Sequence, residues 1–188
     1  MHLYLAALKP PGNVEALFRP LQDHFMTHYG WTSVRALPPL LPLGYAGIGD
    51  DAPPGPPTAP ELVVGGVEVG SDTITVPLHT ADALSAAQGA PGPSGPGESA
   101  RAAEWVAGAA TNVPQHFPRV GGGLFVGVNE GAQSASDMQN LPEVPVTRVR
   151  QWWYVVIDLE YEEPESWWMQ LKWREVERTR LTKRETGG

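Results

Sequence analysis

The chain contains no cysteine, which removes disulfide staples, thiolate nucleophiles and cysteine-ligated metals from consideration. Long hydrophobic runs are also missing. The apolar start Met1-His2-Leu3-Tyr4-Leu5-Ala6-Ala7-Leu8 has no basic lead and stops at Lys9-Pro10, so it does not match a secretory signal. No segment approaches the length of a membrane span, and a soluble product with no membrane partner is expected. Positive charge is scarce, with 13 Lys and Arg against 21 Asp and Glu and a formal net charge of -8. The scarcity is uneven. From 170 to 188 there are six basic side chains and three acidic ones, leaving seven basic against 18 acidic in the preceding body. An acidic body opposes phosphate contacts, so no specific nucleic-acid binding is expected.

Glycine and proline are what the chain has in excess, at 21 and 20 of 188 residues. That usage implies long irregular connections around a modest core. Hydrophobic residues at 41% against 18% charged are enough to build such a core. The length suits one domain over 1–163, followed by an aromatic and basic arm over 164–188.

Periodicity sketches the elements. Val14, Leu17, Phe18, Leu21 and Phe25 recur at spacings of three and four, predicting a helix over 13–29. Asn13 is positioned to cap it, Gly30 to close it, and Pro20 to kink or split it. The stretch 31–37 reads as extended. A strand over 40–48 is confined to a sheet edge by its prolines. The segments 62–69 and 72–79 read as a hairpin turning at Gly70-Ser71, with Gly65-Gly66 marking a bulge or a close backbone approach. Two low-complexity inserts, 49–60 and 89–97, carry little that builds a core. A small-residue helix is expected over 98–113, a short strand over 124–128, and a polar loop over 129–145. The strongest strand spans 149–161. Its face bearing Trp153, Val155, Ile157, Leu159 and Tyr161 is assigned to the core. Its other face, with Trp152, Tyr154, Asp158 and Glu160, is assigned to a half-exposed surface. The expected fold class is α+β, an antiparallel or mixed sheet packed by one or two helices, with long Gly/Pro-rich loops and a C-terminal arm.

Three segments in this order carry a family resemblance. They are Asp72-Thr73-Ile74-Thr75-Val76-Pro77-Leu78-His79-Thr80-Ala81-Asp82, Ala100-Arg101-Ala102-Ala103-Glu104-Trp105-Val106-Ala107-Gly108-Ala109-Ala110, and the late strand Val146-Thr147-Arg148-Val149-Arg150-Gln151-Trp152-Trp153-Tyr154-Val155-Val156-Ile157. Together they resemble the tail terminator, or tail completion, proteins of long-tailed bacteriophages, over roughly residues 12 to 161. The resemblance implies a non-enzymatic virion protein, present in the host cytoplasm during assembly and then in the tail or neck. It implies a homo-hexameric ring at the head-proximal end of the tail tube. That ring stops tube polymerisation, contacts the tail tube protein and joins the head-tail connector protein. Another neck component is the nearest alternative.

Catalytic patterns are incomplete. His24 and His28 sit one helical turn apart, but no glutamate follows the first histidine as zinc-protease chemistry requires, and a surface pair is the plainer reading. His79-Thr80 with Asp82 lacks a nucleophile partner. Gly121-Gly122-Gly123 precedes a strand and not a helix, so it is not a phosphate cradle. The start of the chain is vaguely similar to two-histidine phosphoesterases. However, the second residue after His24, His28, His79 and His116 is never Ser or Thr, so the acid and base carriers are missing. No cofactor and no metal are expected.

The tryptophans point to contacts instead. Neighbours on a strand face opposite ways, so the doublet Trp152-Trp153 predicts one ring on the outside. Alternation of Trp167, Met169, Leu171 and Trp173 favours a strand, either closing the chain's own sheet or reaching a neighbour. The expected interface residues are Trp152, Tyr154, Trp167, Trp168, Trp173, Arg174, Arg178 and Arg180, since aromatic and arginine side chains anchor interfaces.

Overall fold

The computed structural model describes residues 1–47, 55–80, 113–114, 116–138 and 140–182. The small-residue helix over 98–113 and the insert over 89–97 therefore lie outside the described residues, apart from Val113. What is described is α+β, in antiparallel sheets with one main helical segment.

The chain opens with a strand, β1 (His2–Lys9), which reads as a continuous apolar run because both of its faces become covered. The helical segment follows, split as Pro20 required. A short α1 (Gly12–Glu15) passes through a 3-10 turn (Ala16–Phe18) into α2 (Arg19–Tyr29). Pro20 sits in the first turn of α2, where its missing N–H has no intrahelical partner to lose. The cap differs from expectation. The carbonyl of Pro11, not Asn13, receives the first amides, from Val14 and Glu15 at 2.9 Å each. Gly30 closes α2 at φ 71, and Gly30 N and Trp31 N donate back to Met26 and Phe25. Val14, Phe18, Leu21 and Phe25 are all buried.

The stretch over 31–37 is not extended. Ser33–Arg35 is a 3-10 turn, held because the Gln22 amide donates to the Val34 carbonyl at 2.7 Å. The Ser33 hydroxyl bonds the backbone of Val128. These are tertiary hydrogen bonds, invisible to local periodicity.

Four strands form the largest sheet, in the order β10 (Lys172–Thr182), β9 (Gln151–Glu160), β1, β2 (Leu41–Gly47). Pro42 is accommodated where the β1–β2 register shifts between Ala6 and Ala7. Among the described residues there are also two three-stranded sheets. One is ordered β4 (Glu68–Val69), β5 (Thr73–Val76), β7 (Leu124–Val128). The other is ordered β6 (Leu78–Thr80), β3 (Leu62–Val64), β8 (Thr147–Val149). A bridge from Leu40 to Phe125 links the start of β2 to β7. Pro77 alone separates β5 from β6, and Arg150 alone separates β8 from β9. Strand pairings, the Leu40–Phe125 bridge and these two one-residue connections together lead from β9 through β1, β2, β7, β5, β6, β3 and β8 back to β9.

The hairpin turn at 70–73 joins β4 to β5, with Gly70 N donating to Thr73 O. The expected single strand over 62–69 is interrupted at Gly65-Gly66. There Val146 approaches so closely that a Cβ on Gly65 would lie 2.9 Å from its side chain. Gly66 takes φ 76, a conformation that favours glycine.

Two cores lie on opposite faces of the main sheet. Ala6, Leu8, Trp152, Tyr154 and Val156 pack with the helical segment. Leu5, Ala7, Val155, Ile157 and Leu159 pack with Phe117 and Trp167 on the other face. The long strand is therefore buried on both faces, and its assignment to one core face and one half-exposed face is corrected. Trp152 and Tyr154 are each 1% exposed. Their face is covered by helix and loop, and the Trp152 indole N–H donates to the Pro60 carbonyl at 3.0 Å. Truncation of a large core side chain costs about 3–5 kcal/mol, whereas surface changes usually stay within about 0.5 kcal/mol. We therefore expect Trp152→Ala to lower the unfolding free energy, measured by urea titration, by about 3–5 kcal/mol, and Trp173→Ala to leave it nearly unchanged.

Candidate functional site

The eight side chains expected at an interface separate by burial into three sets. Trp152, Tyr154 and Trp167 are interior. Trp167 is 0% exposed because the segment 164–169 is not a strand but a 3-10 turn that plugs it into the second core. Its ring lies 4.5 Å from Phe117 between centroids, and its indole N–H donates to the His116 carbonyl. Trp168 is half-buried, edge-on to Trp167. The remaining four, Trp173, Arg174, Arg178 and Arg180, all lie exposed on β10.

β10 pairs antiparallel with β9 over its whole length, from Lys172 opposite Glu160 to Thr182 opposite Gln151. The arm is thus an intramolecular strand, and removing it would unmask one edge of β9 and extract Trp167 from the core. A register shift between Glu175 and Glu177 leaves Val176 as an extra residue, 48% exposed. Among the described residues, the other edge of β10 has no paired strand.

Electrostatic contacts fasten β10 to its neighbours. Arg174 grips the carboxylate of Asp158 at 3.0 and 3.1 Å, and Asp158 is itself only 9% exposed. Arg178 lies 4.2 Å over the ring of Trp153, a contact worth about 0.5–1 kcal/mol at exposed sites. It also faces Glu175 at 3.6 Å. Arg180 donates to Gln151, and Lys172 pairs with Glu160. Cross-strand register decides these partners, which is why sequence reading did not assign Asp158 its role beneath Arg174.

The catalytic candidates stay apart. His79 is exposed on β6 and lines a cleft of about 230 Å³ with Glu68, Leu41, Leu43, Pro77 and Gly122, while Asp82 lies outside the described residues. His116 was not singled out from sequence as part of a cluster. Its buried Nδ1 lies 4.0 Å from Asp72, whose carboxylate accepts from Arg119 at 2.6 Å. Among the described residues no group of three or more His, Asp or Glu could hold a metal ion. Nor is any described helix long and apolar enough to cross a membrane. No protein-family model, curated protein or solved structure matches the chain.

The rings of His24 and His28 stack at 4.3 Å on α2, and His28 Nδ1 is bonded to the His24 carbonyl. Burial first, and repulsion from His28 second, hold the His24 pKa below its ordinary 6.5. The unfolded chain therefore takes up this proton before the folded one does. Stability is complete above pH 6.5 and falls as pH drops through that value toward the lower folded pKa. We expect this acid-side loss to be smaller in His28→Ala, measured by urea titrations at a series of pH values on both proteins.

Proposed function

We propose that this chain is a non-enzymatic structural subunit that assembles through β10. Following the resemblance to tail terminator proteins, we propose that the assembly is a homo-hexameric ring at the head-proximal end of a phage tail tube. There it would end polymerisation, contacting the tail tube protein on one side and the head-tail connector protein on the other. The observation that carries this reading is the exposure of Trp173, Arg174, Arg178 and Arg180 along one eleven-residue strand. Aromatic and arginine side chains at the surface are the groups that anchor interfaces. The body they would meet in a neighbouring copy carries the excess acid, so association is favoured in sign. Ring closure needs a heterologous contact, one patch against a different one, and a basic strand against an acidic body has that character.

Light scattering should give six times the 20.3 kDa chain mass, or a multiple of that where rings also pair through a two-fold contact, and negative-stain images should show closed rings. The charge reversal Arg180→Glu should weaken the assembly without lowering the unfolding midpoint. A monomer in both proteins would refute the ring. If the chain is instead a relative of the two-histidine phosphoesterases, it should turn over cyclic phosphodiesters, which we expect it not to do. Duplex DNA should bind weakly; tight, salt-sensitive binding would contradict the acidic body as a non-adhesive surface.

A further inference from the structure

We infer that the free edge of β10 pairs with the same edge of a second copy, giving a two-fold dimer through a continuous antiparallel sheet. Strand addition requires two exposed edges of comparable length. Among the described residues, the other strands at sheet margins are short, with two residues in β4 and three each in β6 and β8. β2, at the far margin of the main sheet, is buried over 41–46. Among the described strands, only another β10 matches the eleven residues of β10.

An edge decorated with charges and interrupted by a bulge normally repels indiscriminate pairing. The charges here are arranged to admit their own copy. Trp173, Glu175, Arg178 and Arg180 lie opposite Leu159, Ile157, Val155 and Trp153 of β9, alternate residues of one strand, so all four share a face despite the bulge. Lys172, Arg174, Glu177, Thr179 and Leu181 lie opposite the intervening residues of β9 and share the other face. In one antiparallel register, Glu175 of each copy lies opposite Arg178 of the second copy, and Trp173 lies opposite Arg180. Arg174 then meets Thr179, and Lys172 meets Leu181. Faces match throughout, and the one like-charge contact is Glu177 against its own copy on the two-fold axis. Opposite charges and aromatic–cation pairs directly across a sheet are favourable, and like charges there are not. A slip of one residue mismatches the faces. In one direction it sets Arg174 against Arg180; in the other it sets Arg174 against Arg178 and Glu175 against Glu177. Face matching therefore excludes one-residue slips, and the partner that fits is a second copy of this chain. This contact is isologous, additional to the heterologous one that closes a ring, and stands whether or not the ring forms.

Charge reversal tests the pairing. Glu175→Arg alone and Arg178→Glu alone should each weaken dimerisation at least tenfold in sedimentation equilibrium. The doubly swapped protein should recover wild-type association, and thermal unfolding of each variant checks the fold. A second test exploits the absence of native cysteine. Trp173→Cys/Arg180→Cys should oxidise to a covalent dimer. The two positions lie too far apart along one strand to bridge within a chain, at about 3.3 Å per residue. Neither single variant, nor the slipped pair Trp173→Cys/Thr179→Cys, should do so. A wild type that stays monomeric, single reversals that leave association unchanged, a swap that fails to restore it, or equal cross-linking of the slipped pair would each overturn the inference. The absence of a six-fold mass would overturn the ring alone.

Discussion

β9 is hydrogen-bonded along both edges and covered on both faces, and the placement of the other elements follows from that. Its partners are β1 over eight residue pairs and β10 over ten. A strand with no solvent side must be apolar on both faces, and Trp152, Tyr154 and Val156 on one face are matched by Val155, Ile157 and Leu159 on the other. Each face then requires its own cover. The helical segment after β1 supplies one, and Phe117 with Trp167 supplies the other. The N-terminal ammonium donates to the Tyr161 carbonyl at 2.6 Å, tying the first residue to the end of this strand.

This arrangement decides which side chains remain for contacts. Because Trp152, Tyr154 and Trp167 are interior, the exposed members of the expected interface set are Trp173, Arg174, Arg178 and Arg180 on β10, whose outer edge has nothing beside it among the described residues. β10 is held by register as well as by the burial of Leu181. Arg174 compensates the nearly buried Asp158, and Arg178 stacks on Trp153, the one member of its doublet that is half-buried. Removing one partner of a nearly buried ion pair leaves a poorly solvated charge, so Arg174 has a structural duty besides any role at an interface.

The turn at Ser33–Arg35 illustrates the same dependence on distant parts of the chain. It packs on β7 so tightly that a Cβ on Gly127 would lie 2.6 Å from the Val34 side chain. Glu130, beyond β7, accepts from the Ser33 amide at 2.7 Å. Buried polar groups of this kind must be paired, and here the partners lie about a hundred residues away in the chain.

The sequence by itself determined the elements whose cause is local. The helical segment followed from apolar spacing, its break from Pro20, and its end from Gly30. The tight connection at 70–73 and the short strand ending at Val128 were likewise legible. So was the close approach at Gly65, because a missing side chain is a local fact. The sequence also placed one ring of the Trp152-Trp153 doublet away from the core it assigned, but it chose the wrong one. Only the tertiary structure decided that both faces of β9 are interior, that Trp167 is a core plug in a 3-10 turn, and that Asp158 sits beneath Arg174. A strand's period of two says which residues share a face, but not what covers that face; register says which charges meet, and register is set by pairing between segments far apart in the chain.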